Sequence, residues 1–198
     1  MKYKNTSGLL IASILFLSII NNITAQANFK IEDSRDNAMK LSGTSTFHDW
    51  TMQTGTFSGN AQFGLEPGNY ITALRSLEFS LPVLTLKSGE KKLDKNAYKA
   101  LKTKQFKDIL YKLTSAKVTA EKDYKYQIKT TGNLTVAGVT KEVVIDIFCM
   151  ANKNGSITCE GNYKINMGDY NVQAPNFMGG LMTTGEGVTL DFSMRFER

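Results

Sequence analysis

A single histidine, His48, stands in 198 residues. A metal centre built on several imidazoles is thereby excluded. The serine-hydrolase elbow GxSxG, the zinc signature HExxH and a phosphate-binding loop are all missing. No carboxylate pair stands out as an acid–base couple; Asp33 and Asp36 are near each other but fall in a turn. No aromatic ladder interleaves with a basic face, so binding to nucleic acid is disfavoured. Internal repeats and low-complexity tracts are also lacking. No metal and no cofactor is implied.

One long apolar run is present, LLIASILFLSII at positions 9 to 20, and it is short for a membrane span. Lys2 and Lys4 precede it, and polar NNIT and the small-residue triplet Ala25-Gln26-Ala27 follow. A basic start, an apolar stretch of this length and small residues at the end make a secretory signal peptide over residues 1–25. Cleavage after Ala25 or Ala27 fits equally well. An uncleaved anchor is the alternative, and no cysteine follows the run to carry a lipid. The expected address is the periplasm or the exterior, with residues 26–198 as the folded domain. Removing the leader leaves 173 residues and lowers the net charge from +6 to +4. The densest basic stretch, KSGEKKLDKNAYKALKTKQFK at 87–107, could touch anionic lipid head groups or phosphate, giving transient membrane-surface contact. A solvated helix with its flanks is the plainer reading.

Cysteine is scarce: Cys149 and Cys159 are the only two. The segment VVIDIFCMANKNGSITCEGNYKI reads as a hairpin around Asn154-Gly155. A loop of Lys153 to Gly155 sets residue 152 opposite 156, and so Cys149 opposite Cys159. An exported protein would join them as a disulfide; two buried thiols are the alternative.

Period-2 alternation fills the rest of the chain. It marks eight half-buried strands, around residues 39–47, 57–63, 77–83, 109–113, 124–128, 143–147, 157–165 and 188–196, with a further candidate at NFKIED. Short linkers rich in Gly, Asn and Asp imply antiparallel neighbours. One helix interrupts them in LDKNAYKALK, where Asp94 can cap the first turn and Ala97 and Leu101 share a face. The stretch at 168–187 is a glycine-rich loop. So many one-sided strands require a sandwich or a closed barrel, and closure removes the exposed edges. Inward-facing Gly43, Gly59, Ala61 and Gly161 would leave volume inside, unless Phe57, Phe63, Tyr163 and Phe192 fill it.

The motif STFHDW at 45–50 combines His48, Asp49 and the only tryptophan, Trp50. Adjacent residues of an extended chain point to opposite sides, so Asp49 is poorly placed to orient the His48 ring. Packing at a barrel end is the expected role, contact with the polar end of a ligand a second, and catalysis centred on His48 a third.

Three segments carry a family resemblance: STFHDW; LPVLTLKSGEKKLDKNAYKALKTKQFKDILYKLTSAKV; and GNLTVAGVTKEVVIDI at 132–147. Together they resemble the YceI-like family of exported bacterial proteins over residues 28–197. The most specific match is to the family pattern G-x-L-T-I-x-G-V-T-K-x-V, at Gly132, Leu134, Thr135, Gly138, Val139, Thr140, Lys141 and Val143. The resemblance implies an all-β protein, a closed antiparallel lipocalin-like β-barrel of about eight strands with one short helix in a crossover. It implies a long polyisoprenoid chain, such as that of an isoprenoid quinone, in an apolar tunnel, and no enzymatic activity established for the family as a whole. The Gly- and Met-rich NFMGGLMTTGEGV departs from the usual pattern, and the two cysteines lie outside it. On this reading Leu41, Phe57, Phe63, Phe79, Tyr126, Ile145, Tyr163 and Phe192 form the ligand wall, and His48, Trp50 or Arg75 meets a polar head. The alternative is an envelope stress or interaction module with a filled barrel and no ligand. Dimerisation is left open.

Overall fold

The computed structural model describes residues 25–32, 34–177 and 182–198. The leader up to residue 24, Asp33 and part of the glycine-rich loop lie outside the described residues. Among the described residues the strands are β1 (Ala25–Ile31), β2 (Ala38–Ser45), β3 (Trp50–Thr54), β4 (Ser58–Glu66) and β5 (Tyr70–Pro82). A helix, α1 (Lys91–Ala100), precedes β6 (Asp108–Ala120), β7 (Lys125–Val136), β8 (Val139–Ala151), β9 (Ile157–Asn166), β10 (Asn176–Phe177) and β11 (Met182–Glu197). Strands β1, β4, β5, β6, β7, β8, β9 and β11 pair in that order, and β1 closes the ring onto β11. Every pairing is antiparallel, as short turns between neighbours require.

The seam lies where β11 changes partner. Its first part pairs with β2 as far as Ser193, and its last residues pair with β1 at Phe196 and Glu197. Asn37 bridges the gap. Its Oδ1 accepts from the Arg195 backbone N–H at 2.9 Å, and its Nδ2 donates to the Glu32 carbonyl at 2.7 Å. Asn37 is 5% exposed, so these bonds satisfy polar groups that would otherwise be buried unpaired at the junction. Outside it, Arg195 pairs with Asp36 at 3.0 Å and with Glu197 at 2.8 Å.

The alternating segments all form strands, and NFKIED supplies much of β1. Two strands carry too little pattern to be read beforehand: β3, five residues with one buried side chain, Met52, and β10, two residues long. The helix forms, but Asp94 is not its cap. The N-cap is Glu90, which makes no side-chain capping bond. Asp94 instead reaches back, accepting from the Ser88 N–H at 2.8 Å and the Ser88 hydroxyl at 2.7 Å. This fastens α1 to the turn before it. The 83–107 connection thereby carries α1 between β5 and β6, across one end of the barrel.

Arg75 is a second correction. Counting by twos from Leu77 and Phe79 places it inside. The β4–β5 register shifts between Gln62↔Ser76 and Phe63↔Leu74, leaving Arg75 as the extra residue of a β-bulge. A bulge resets the alternation. Leu74 turns inward and is buried, and Arg75 is exposed.

The hairpin from β8 to β9 has the register Cys149↔Cys159, with the Asn152 N–H donating to the Ser156 carbonyl at 2.8 Å. The two sulfurs are bonded, 2.01 Å apart. Such a link constrains the unfolded chain. Replacing both cysteines with serine is expected to cost about 2–3 kcal/mol, read as a lower urea midpoint. An unchanged midpoint would show the link to be idle.

Candidate functional site

The barrel interior is divided into two halves. In one, Phe29, Phe63 and Phe196 stack edge to face, with ring centroids 5.4 Å and 5.7 Å apart across the Phe63 ring. Phe63 is 1% exposed, and Tyr126 and the Cys149–Cys159 pair are buried as well. These side chains pack against one another in the core. The other half holds a cavity of about 370 Å³. Its walls are Leu77, Phe79 and Leu81 of β5, Leu134 and Val136 of β7, Ile145 and Ile147 of β8, and Leu190, Phe192 and Met194 of β11. Phe196 and Cys159 border both halves and form the floor. The volume falls in the usual range for small-molecule sites, about 300–1,000 Å³.

The opposite end is the mouth. Helix α1 turns Leu93 and Ala97 toward the cavity, and its C-cap Leu101 joins them, the face expected from the spacing of Ala97 and Leu101. Met167, Tyr170 and Val172 line a second side, and the β2–β3 turn a third. The charged lining residues, Glu90 and Lys92, are both exposed, as is His48, which places charge at the rim and none in the depth. Burial first, then Tyr163 and Asp169, push the Tyr170 phenol up to about 12, so it stays neutral beside the cavity.

The cavity does not arise where small residues suggested it would. A Cβ on Gly59 would meet Ile31 Cδ1 at 2.8 Å, one on Gly161 would meet the Phe192 ring at 2.6 Å, and Gly43 is covered by the Trp50 indole. Neighbouring side chains occupy the space these glycines leave. The void comes instead from medium-sized aliphatic side chains facing one another across the ring.

STFHDW forms the turn joining β2 to β3 at the rim. The Ser45 hydroxyl donates to the His48 carbonyl at 2.6 Å. The His48 Nδ1–H donates to the Asp49 backbone carbonyl at 2.9 Å, so Asp49 holds the ring through its main chain. Trp50 Nε1 donates to the Thr44 carbonyl at 3.2 Å, and its indole lies on Gly43. Among the described residues no group of three or more His, Cys, Asp or Glu side chains could hold a metal ion.

Of the residues singled out from sequence, Leu41, His48, Trp50, Phe79, Ile145 and Phe192 line the cavity. Phe63 and Tyr126 belong to the packed half. Phe57 sits behind the wall, 5.4 Å from the Phe79 ring, and Tyr163 packs half-buried beside the core. Arg75 is outside. Sequence reasoning missed Tyr111 and Thr130, which also face the cavity. Tyr111 shares parity with Ile109 and Leu113, a signal that was present; Thr130 on a lysine- and threonine-rich strand gave none.

The GNLTVAGVTKEV motif now has a physical basis. A Cβ on Gly132 would lie 2.5 Å from both the Tyr111 ring and its hydroxyl, so glycine there lets the ring lie flat across β7. Ala137 and Gly138 have φ of 48° and 81°, the two-residue turn between twisted antiparallel strands. The Phe106 ring covers Gly138, and the Thr135 and Thr140 hydroxyls bond at 2.8 Å across the turn.

The YceI-like domain family matches residues 22–196. The chain belongs to the YceI-like family. Three solved structures show the shared YceI-like fold. The polyisoprenoid binding domain from Saccharophagus degradans, implicated in plant cell wall breakdown, is similar at TM-score 0.64 and 13% identity, covering 87% of this chain and 99% of that one. Burkholderia cenocepacia BcnA gives 0.63 and 16%, covering 83% and 98%. The Campylobacter jejuni YceI protein gives 0.54 and 19%, covering 71% and 81%. No curated protein matches the chain.

Gly132→Ala is expected to push the Tyr111 ring off β7. Overpacking of this kind costs about 1–3 kcal/mol, and the melting temperature reads it. An unaltered melting curve would contradict the close approach.

Proposed function

We propose that this protein is an exported carrier that holds an isoprenoid-like lipid, such as a quinone or polyprenyl chain, in the open half of its barrel. One observation carries the reading: an apolar cavity of about 370 Å³ with a polar rim. Membership of the YceI-like family and the fold shared with a polyisoprenoid binding domain support it.

The mechanism is burial. Each square ångström of apolar surface removed from water contributes about 25 cal/mol. Several isoprene units would then contribute on the order of ten kcal/mol gross, from which ordering costs subtract heavily. A chain longer than the cavity leaves its remainder among Leu93, Ala97 and Leu101 at the mouth. His48 and Trp50 are rim contacts on this reading, and no reaction is assigned to them. Residues 1–25 serve as the export leader. Cleavage after Ala25 keeps the pairs Gln26↔Gly64 and Ala27↔Phe63 of β1 with β4; cleavage after Ala27 loses both.

Organic extraction of the purified protein followed by mass spectrometry is expected to release an isoprenoid lipid in stoichiometric amount. His48→Ala is expected to retain it. Protein that emerges empty and also ignores added quinone would contradict the carrier reading.

A further inference from the structure

Tyr111 is a phenol in an otherwise oily wall. It is 8% exposed, it faces the cavity, and its hydroxyl has no hydrogen-bond partner among the described residues. Proteins rarely leave such a group unpaired, because its lost contact with water goes uncompensated. Thr130, 2% exposed and also in the cavity wall, stands close enough to act on the Tyr111 phenol, but the two hydroxyls do not meet in hydrogen-bond geometry. The Thr130 proton is already committed to the Ile145 carbonyl at 2.8 Å. The Thr130 oxygen keeps lone pairs; the Tyr111 hydroxyl keeps a proton with nowhere to go. Burial raises the Tyr111 pKa, the Thr130 hydroxyl opposing it, so the phenol stays protonated as a donor. Gly132 fixes the ring in this pose, since any Cβ there would displace it.

We propose that Tyr111 and Thr130 form an internal anchor that recognises a neutral oxygen, such as a ring carbonyl, at the leading end of the bound lipid. The proposal rests on the carrier reading above and specifies the ligand class. A phosphate head finds no positive charge at this depth, because Lys92 stands at the exposed rim. Burying an unpaired anion there would be very costly. A quinone-like group needs only the hydrogen bond that Tyr111 offers, and its reduced form can donate a hydroxyl proton to Thr130. The neutral head therefore goes in first, with the chain trailing to the mouth.

The test compares the full chain with Tyr111→Phe, which deletes only the oxygen. Two probes are titrated, a short-chain prenylated 1,4-benzoquinone and the matching prenyl hydrocarbon without oxygen, with the heat of binding in isothermal titration calorimetry as the readout. Tyr111→Phe is expected to weaken the quinone about tenfold and to leave the hydrocarbon unchanged. The infrared carbonyl stretch of bound quinone is expected at lower frequency in the parent protein than in the variant. The empty variant is expected to melt no lower than the parent, because an unpartnered hydroxyl has been removed. Equal losses for both probes, or no loss for either, would overturn the anchor and leave the carrier reading standing. Failure of the parent protein to bind either probe would overturn both.

Discussion

Eight strands enclose a fixed cross-section, so every large side chain pointing inward takes space from a guest. Here the ring rests on the seam at Asn37, which lets β11 leave β2 and take up β1 without an unpaired backbone group. The interior is shared unequally along its length. Phe29, Phe63 and Phe196 fill one half with interlocking rings, and aliphatic side chains line a void in the other. The filled half stabilises the fold by burial, and the open half gives up part of that burial. A void lined by side chains that do not touch is destabilising, by about 24 cal/mol per Å³ of cavity in mutational series. Retaining one is consistent with a guest that refills it.

Polarity is segregated in the same way. Charge is confined to the rim, at Glu90 and Lys92, and the depth contains only neutral hydroxyls. The β2–β3 turn and α1 flank the mouth from different parts of the chain, each fastened by short-range bonds: Ser45 to His48, and Asp94 to Ser88. The rim is thus built from locally stable pieces laid on a closed sheet.

The alternating strands, their antiparallel order and the β8–β9 register were legible in the sequence because each depends on a period of two or on a single turn. The same counting failed at Arg75, where a bulge inserts one residue and reverses the faces. Asp94 misled for a related reason: a short acidic side chain at a helix start can serve the turn before it as readily as the helix. The division of the interior was not legible. Phe63 and Phe192 have the same alternation and the same side chain, but one lies in the plug and the other in the cavity wall. Only the strand registers set their heights in the barrel. Tyr111 lay in plain alternation, yet its significance depends on Gly132 beside it on another strand.

The division of the barrel into a plugged half and an open half can be tested without knowing the ligand. Xenon enters dry apolar cavities and scatters strongly. Delipidated crystals held under xenon are expected to show density between Leu77, Ile147 and Phe192, and none among Phe29, Phe63 and Phe196. Crystals without xenon between Leu77, Ile147 and Phe192, their space taken by collapsed side chains, would contradict the carrier interior.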